Sequence, residues 1–121
     1  MEDKNYVIGK QILQAQDLQT QVEVKSEPYT LKLLSPLEKA AVDAEIAQRL
    51  GAPRDRCSAE QIGRATVLTT LTVAVVSAPT WFKSPWTCRD EEVTMTLYQK
   101  YEAFEEEFRR KLQAGEFIKN S

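Results

Sequence analysis

The chain has 121 residues, 42% of them hydrophobic and 28% charged, with a net charge of −2. That length allows one hydrophobic core and excludes two, and the composition is that of an ordinary globular protein. The near-neutral charge excludes a general electrostatic footprint for nucleic acid, and the lack of histidine removes the commonest metal ligand and general base.

The first stretch, Met1 to Gln21, is polar and rich in glutamine. It reads as an N-terminal arm that either orders against the core or a partner, or frays, with a short helix available over Leu13–Gln21. No secretory signal is expected, because Met1–Lys10 has no apolar run. From Val22 to Leu34 the period changes to two. Val22 and Val24 alternate with Glu23 and Lys25, and Tyr29, Leu31 and Leu33 alternate with Thr30 and Lys32. With Ser26-Glu27-Pro28 as the turn, this predicts a β-hairpin over 22–34. Two strands alone are marginal in water, so the hairpin must dock on the helices or on another chain. Val22, Val24, Tyr29 and Leu31 are its candidate partner-binding residues.

Ser35-Pro36-Leu37-Glu38 is a capping box with proline at the first helical position, and it predicts a helix from Pro36 to Leu50, stopped at Gly51. Leu37, Ala40, Ala41, Ala44, Ile46 and Ala47 form its expected apolar face. Ser58 and Gln61 make a second box. The following run to Ser77 fits a helix through Ile62, Ala65, Leu68, Leu71 and Val75, and fits a strand through Val67, Leu71, Val73 and Val75. The cap and the length favour a helix over Ala59–Ser77. This run is broken by threonines and is short of the ~20 residues that span a bilayer, so a soluble protein is expected.

A loop follows, with Pro79 and Pro85 framing Trp81, Phe82 and Trp86. These rings either plug the gap between helices or anchor a partner. The last element is the long amphipathic helix Cys88–Ala114, with Thr87 as its cap and Val93, Leu97, Tyr101, Phe104, Phe108 and Leu112 on one stripe. Acidic residues sit early and basic ones late, as the helix dipole prefers. The expected fold is mainly α with a small N-terminal β-hairpin, an α+β arrangement. It has an arm at 1–21 and a single three-helix domain at 22–121, whose core includes Leu37, Ile46, Leu68, Leu71, Val75, Leu97, Tyr101, Phe104 and Phe108.

Little in the chain points to chemistry. Cys57 and Cys88 fit no paired zinc spacing; a reduced intracellular protein is the simplest reading of them, and a disulfide between the two is the alternative. The four isolated glycines form no phosphate loop. Glu105-Glu106-Glu107 point in different directions on a helix. Arg49, Arg54, Arg56 and Arg64 cluster modestly around one loop, where an acidic surface of a partner could meet them. No enzyme activity, no cofactor, no metal, no nucleic acid and no membrane is expected.

Three segments resemble small tail assembly chaperones of long-tailed bacteriophages: YTLKLLSPLEKAAVDAEIAQRLG at Tyr29–Gly51, APTWFKSPW at Ala78–Trp86, and LYQKYEAFEEEFRRKLQ at Leu97–Gln113. The resemblance implies a small, mostly helical, non-enzymatic viral protein. It would coat the apolar helices of the tape-measure protein and recruit tail-tube subunits, acting in the host cytoplasm with homo-oligomers open to it. From the residues themselves, not from the resemblance, Met1–Leu34 is expected to make the main partner contacts through Val22, Val24, Tyr29 and Leu31 of the hairpin, with Trp81, Phe82 and Trp86 as secondary anchors. A permanent virion subunit of a tail, baseplate or neck is the alternative.

Overall fold

The computed structural model describes residues 6–8 and 11–117. Helix α1 runs Pro36–Leu50. At its start the Glu38 amide donates to Ser35 Oγ at 3.2 Å, and the Ser35 amide donates to Glu38 Oε1 at 2.9 Å. At its end Gly51 takes the left-handed conformation, φ 66°, where a Cβ would be strained. The buried face is Val42 and Ile46, a residue pair one helical turn apart. The alanine face expected from the sequence is corrected here, since Ala40, Ala41, Ala44 and Ala47 are all exposed. Leu37 is 80% exposed because it lies about 140° around the helix from Val42.

Helix α2, Ala59–Ala74, starts on the Ser58–Gln61 capping box. It is the central helix, with α1, α3 and the Pro85–Thr87 turn against it. Packing on several sides explains why Val67, Thr69 and Thr70 are buried as well as Ala65 and Leu71. Both periodicities seen in its sequence are therefore real. The helix ends three residues before the predicted Ser77, and Val75–Ser77 turns into strand β5. Runs of β-branched residues favour that switch.

The Val22–Leu34 hairpin is present as β3, Gln19–Val24, and β4, Glu27–Lys32, with β5 added antiparallel to β4. Its turn is Lys25-Ser26, both at positive φ of 52° and 66°, the two-residue geometry whose twist suits a hairpin. The predicted turn at Ser26-Glu27-Pro28 is thus shifted by one to two residues. Pro28 pairs with Glu23, a non-hydrogen-bonded position when Val24 and Glu27 flank a two-residue turn, so its missing N–H costs nothing in that ladder. Lys25 Nζ reaches Asp90 Oδ2 at 2.7 Å and ties the turn to the start of the last helix.

Ahead of the hairpin, β1 (Tyr6–Ile8) pairs antiparallel with β2 (Gln11–Leu13), and a single 3-10 turn spans Ala15–Leu18. The helix expected over Leu13–Gln21 is therefore replaced by strand, turn and strand, and the arm boundary at Gln21 falls inside β3. Met1–Asn5 lies outside the described residues.

Helix α3 spans Glu91–Ala114, capped by Asp90, whose carboxylate accepts from the Glu92 amide, in place of the predicted Thr87. Gly115 ends it in the left-handed region, φ 73°. Val93, Leu97 and Tyr101 enter the core, whereas Phe104, Phe108 and Leu112 are only half-buried. The stripe continues past the body that covers its first half.

The result is a mainly α, α+β fold in two layers, three helices against an antiparallel sheet, sharing one core. Tyr29, Leu31, Ile46, Leu71, Val93 and Leu97 are its most deeply buried large apolar side chains. Among the described residues, no helix is long and apolar enough to cross a membrane.

Candidate protein-binding surface

Alternation puts Val22, Val24, Tyr29 and Leu31 on one face of the β3–β4 hairpin, and that face is turned inward. Val24, Tyr29 and Leu31 are buried in the core, and Val22 packs half-buried against it. These four were expected to meet a partner; they hold the sheet on the helices instead. The physical reason is that a two-stranded hairpin needs an apolar surface to rest on, and this face shares one buried cluster with Leu71, Val93 and Leu97. Burial also raises the pKa of the Tyr29 phenol, with Glu27 adding to it. Its hydroxyl has no hydrogen-bond partner among the described residues.

The three rings of the Ala78–Trp86 loop divide the work. Phe82 is buried edge-on to Tyr29, with ring centroids 5.5 Å apart, and Trp81 meets Phe82 in the same manner at 5.8 Å. Phe82 is a plug, so its expected role as an anchor is corrected. Trp81 stays 48% exposed, pinned by an Nε1–H donating to Glu27 Oε1 at 2.7 Å. Trp86 is half-buried beneath Arg49, whose guanidinium carbon sits 4.2 Å from the indole centroid, a cation–π contact.

Two concavities flank this loop. On one side a groove of about 250 Å³ runs past Leu71, Val75, Val76, Ala78, Phe82 and Pro85, with Thr72, Ser77, Lys83 and Ser84 set among them. Val76, at 46% exposed, belongs to its lining, and β5 supplies one wall. Only β4 pairs with β5, so its other edge is open among the described strands. On the other side a cleft of about 350 Å³ is lined by Arg49, Leu50, Gln61, Arg64, Ala65 and Trp86.

Of the four arginines singled out in the sequence, the fold brings Arg49 and Arg64 into that cleft and leaves Arg54 and Arg56 on the exposed loop beside it. Arg49 Nε donates to Glu45 Oε2 at 2.8 Å, and Arg64 pairs with Glu60 at 3.5 Å. Their charge is largely answered within the chain. Among the described residues, no three His, Cys, Asp or Glu side chains gather as metal ligands, and Cys57 and Cys88 are free thiols.

Sequence reasoning missed the groove because it depends on β5. The signal was present in Val75-Val76-Ser77, a β-branched run that closes on Pro79. It also missed the exposed Leu37, since a capping-box position says little about which way that residue faces. No family model, no curated protein and no solved structure matches this chain.

Proposed function

We propose that the chain is a non-enzymatic assembly chaperone of bacteriophage tails, one that shields apolar helices of the tape-measure protein and brings tail-tube subunits to it. The observation that supports this reading is the groove beside β5. It offers Val75, Val76 and Ala78 over the buried Leu71, Phe82 and Pro85, with Thr72, Ser77, Lys83 and Ser84 on the same walls and exposed Trp81 neighbouring Phe82. Helices that bury an apolar face in such a groove gain most from a few large anchoring side chains. The sequence segments at Tyr29–Gly51, Ala78–Trp86 and Leu97–Gln113 that resemble these chaperones include the Ala78–Trp86 loop on which the groove depends.

Co-expression with the tape-measure protein of a candidate phage, followed by affinity capture, tests it. The parent chain is expected to retain the tape-measure protein, and Val76→Glu with Trp81→Ala to release it without loss of helical circular dichroism. Retention by that double variant would remove the groove from the reading. Fixed-copy presence of the chain in purified mature particles would make it a structural subunit, because a chaperone leaves before the particle is complete.

A further inference from the structure

The distal half of α3 carries features that neither the core nor the groove uses. Beyond Tyr101 the apolar stripe continues through Phe104 and Phe108, which are half-buried. Neither belongs to the core or to the half-buried side chains packed against it. Phe108 does meet Phe117, with ring centroids 5.5 Å apart, which thickens the stripe at its end.

The charges flanking that stripe change sign at Phe108. Glu105 and Glu107 precede it, and Arg109 and Lys111 follow it, whereas Glu102, Glu106 and Arg110 lie about 140° or more around the helix. Within one chain Arg109 is paired with Glu106 on the far side of the helix. Along the stripe, Glu105–Arg109 and Glu107–Lys111 stand at 4.0 and 3.9 Å, the outer edge of ion pairing, and Glu105 is held closer by Lys39 at 2.8 Å. Exposed pairs of this kind contribute little and exchange readily.

We infer that this half of α3 is an interface with a second copy of the same chain, the two helices lying antiparallel about a two-fold axis near Phe108. The charge pattern selects that occupant. An antiparallel copy sets the flanking acids of one helix against the flanking bases of the other, Glu107 of each facing Lys111 of its mate and Glu105 facing Arg109. A parallel copy would stack like charges along the seam. A two-fold arrangement is self-complementary and closes as a dimer without leaving a free surface for further growth. Phe104 and Phe108 would then be covered by their counterparts, in the manner of residues at the seam of paired helices. Among the described residues the buried core takes only the first half of the helix, which leaves Phe104 and Phe108 part-exposed toward such a partner.

Charge exchange gives the test. Glu105→Lys with Glu107→Lys makes one variant basic along both flanks of the stripe. Arg109→Glu with Lys111→Glu makes one acidic along both. Sedimentation equilibrium should find the parent dimeric and each variant alone monomeric, while an equimolar mixture recovers a heterodimer. If circular dichroism shows either variant to be unfolded, the single substitution Phe108→Cys, placed in a Cys57→Ser, Cys88→Ser background, answers the same question. The residue beside the axis meets its own copy and should form an intermolecular disulfide under mild oxidation. Gln113→Cys, which lies on the opposite face, should not. A parent chain that stays monomeric at all concentrations overturns the inference. So does a dimer that survives in both charge variants, or one in which Gln113→Cys cross-links as readily as Phe108→Cys.

Discussion

Leu97 and Phe104 sit seven residues apart on one stripe and differ in what surrounds them. Leu97 is completely buried and Phe104 half-buried. Leu97→Ala should therefore lower stability by about 2–5 kcal/mol, the range for removing a core leucine. Phe104→Ala should cost roughly 1–2 kcal/mol in dilute protein, well under the cost for a fully buried ring. Urea unfolding of both variants checks the order, and equal losses would place Phe104 in the core. Tyr29 gives the opposite case. Its ring is fixed against Phe82 while its hydroxyl is buried without an acceptor among the described residues. Removing an unsatisfied buried hydroxyl relieves a desolvation penalty, so Tyr29→Phe should leave the urea midpoint unchanged or raise it.

At the scale of elements, α3 and the β4–α1 junction respond to pH in opposite directions. Burial, and secondarily the nearby Glu105 carboxylate, raise the pKa of the Tyr101 phenol; burial is also the first cause for Tyr29 and Tyr98. A phenol whose pKa is higher in the folded chain holds its proton more firmly there. Its contribution is complete below the ordinary value of 10.0 and is lost as pH rises beyond it. At the junction, Lys32 Nζ bonds Glu38 Oε2 at 2.6 Å and, with the Ser35 amide, pulls the Glu38 pKa down. That contribution is present above the ordinary value of 4.5 and fades as pH falls below it. Urea midpoints across pH should thus form a plateau between these two values. Tyr101→Phe should flatten the alkaline fall, and an alkaline limb unchanged by that substitution would assign the loss to other groups.

For the molecule as a whole, the sequence carried the elements with strong local chemistry. The Ser35 box and Gly51 marked both ends of α1, and the alternation from Val22 to Leu33 marked the hairpin. What it could not carry was contact between elements. Alanines in α1 read as a packing face because they are apolar, yet burial goes to Val42 and Ile46, whose larger side chains have more to gain. Val22, Val24, Tyr29 and Leu31 looked available because a hairpin in isolation has an uncovered side. Only the packed body shows that this side closes the core. Trp81, Phe82 and Trp86 were legible as a group, and their separation into an exposed ring, a plug and a ring under Arg49 follows from tertiary geometry. β5 was hidden because Val75 belongs to two elements at once.

That double membership has a kinetic consequence. The Val75 amide donates to Leu71 O, closing the last turn of α2, while the same residue stands opposite Leu31 in the sheet. No loop intervenes to let one element loosen while the other holds. Helix and sheet should therefore open as one cooperative unit, and native-state hydrogen exchange should report it. The amides of Leu31, Leu71 and Val75 should exchange with the same opening free energy and the same denaturant dependence. A Gly-Gly insertion after Ala74 should split them into two classes, with the sheet exchanging first. If the three amides already differ in the parent chain, the junction is a hinge.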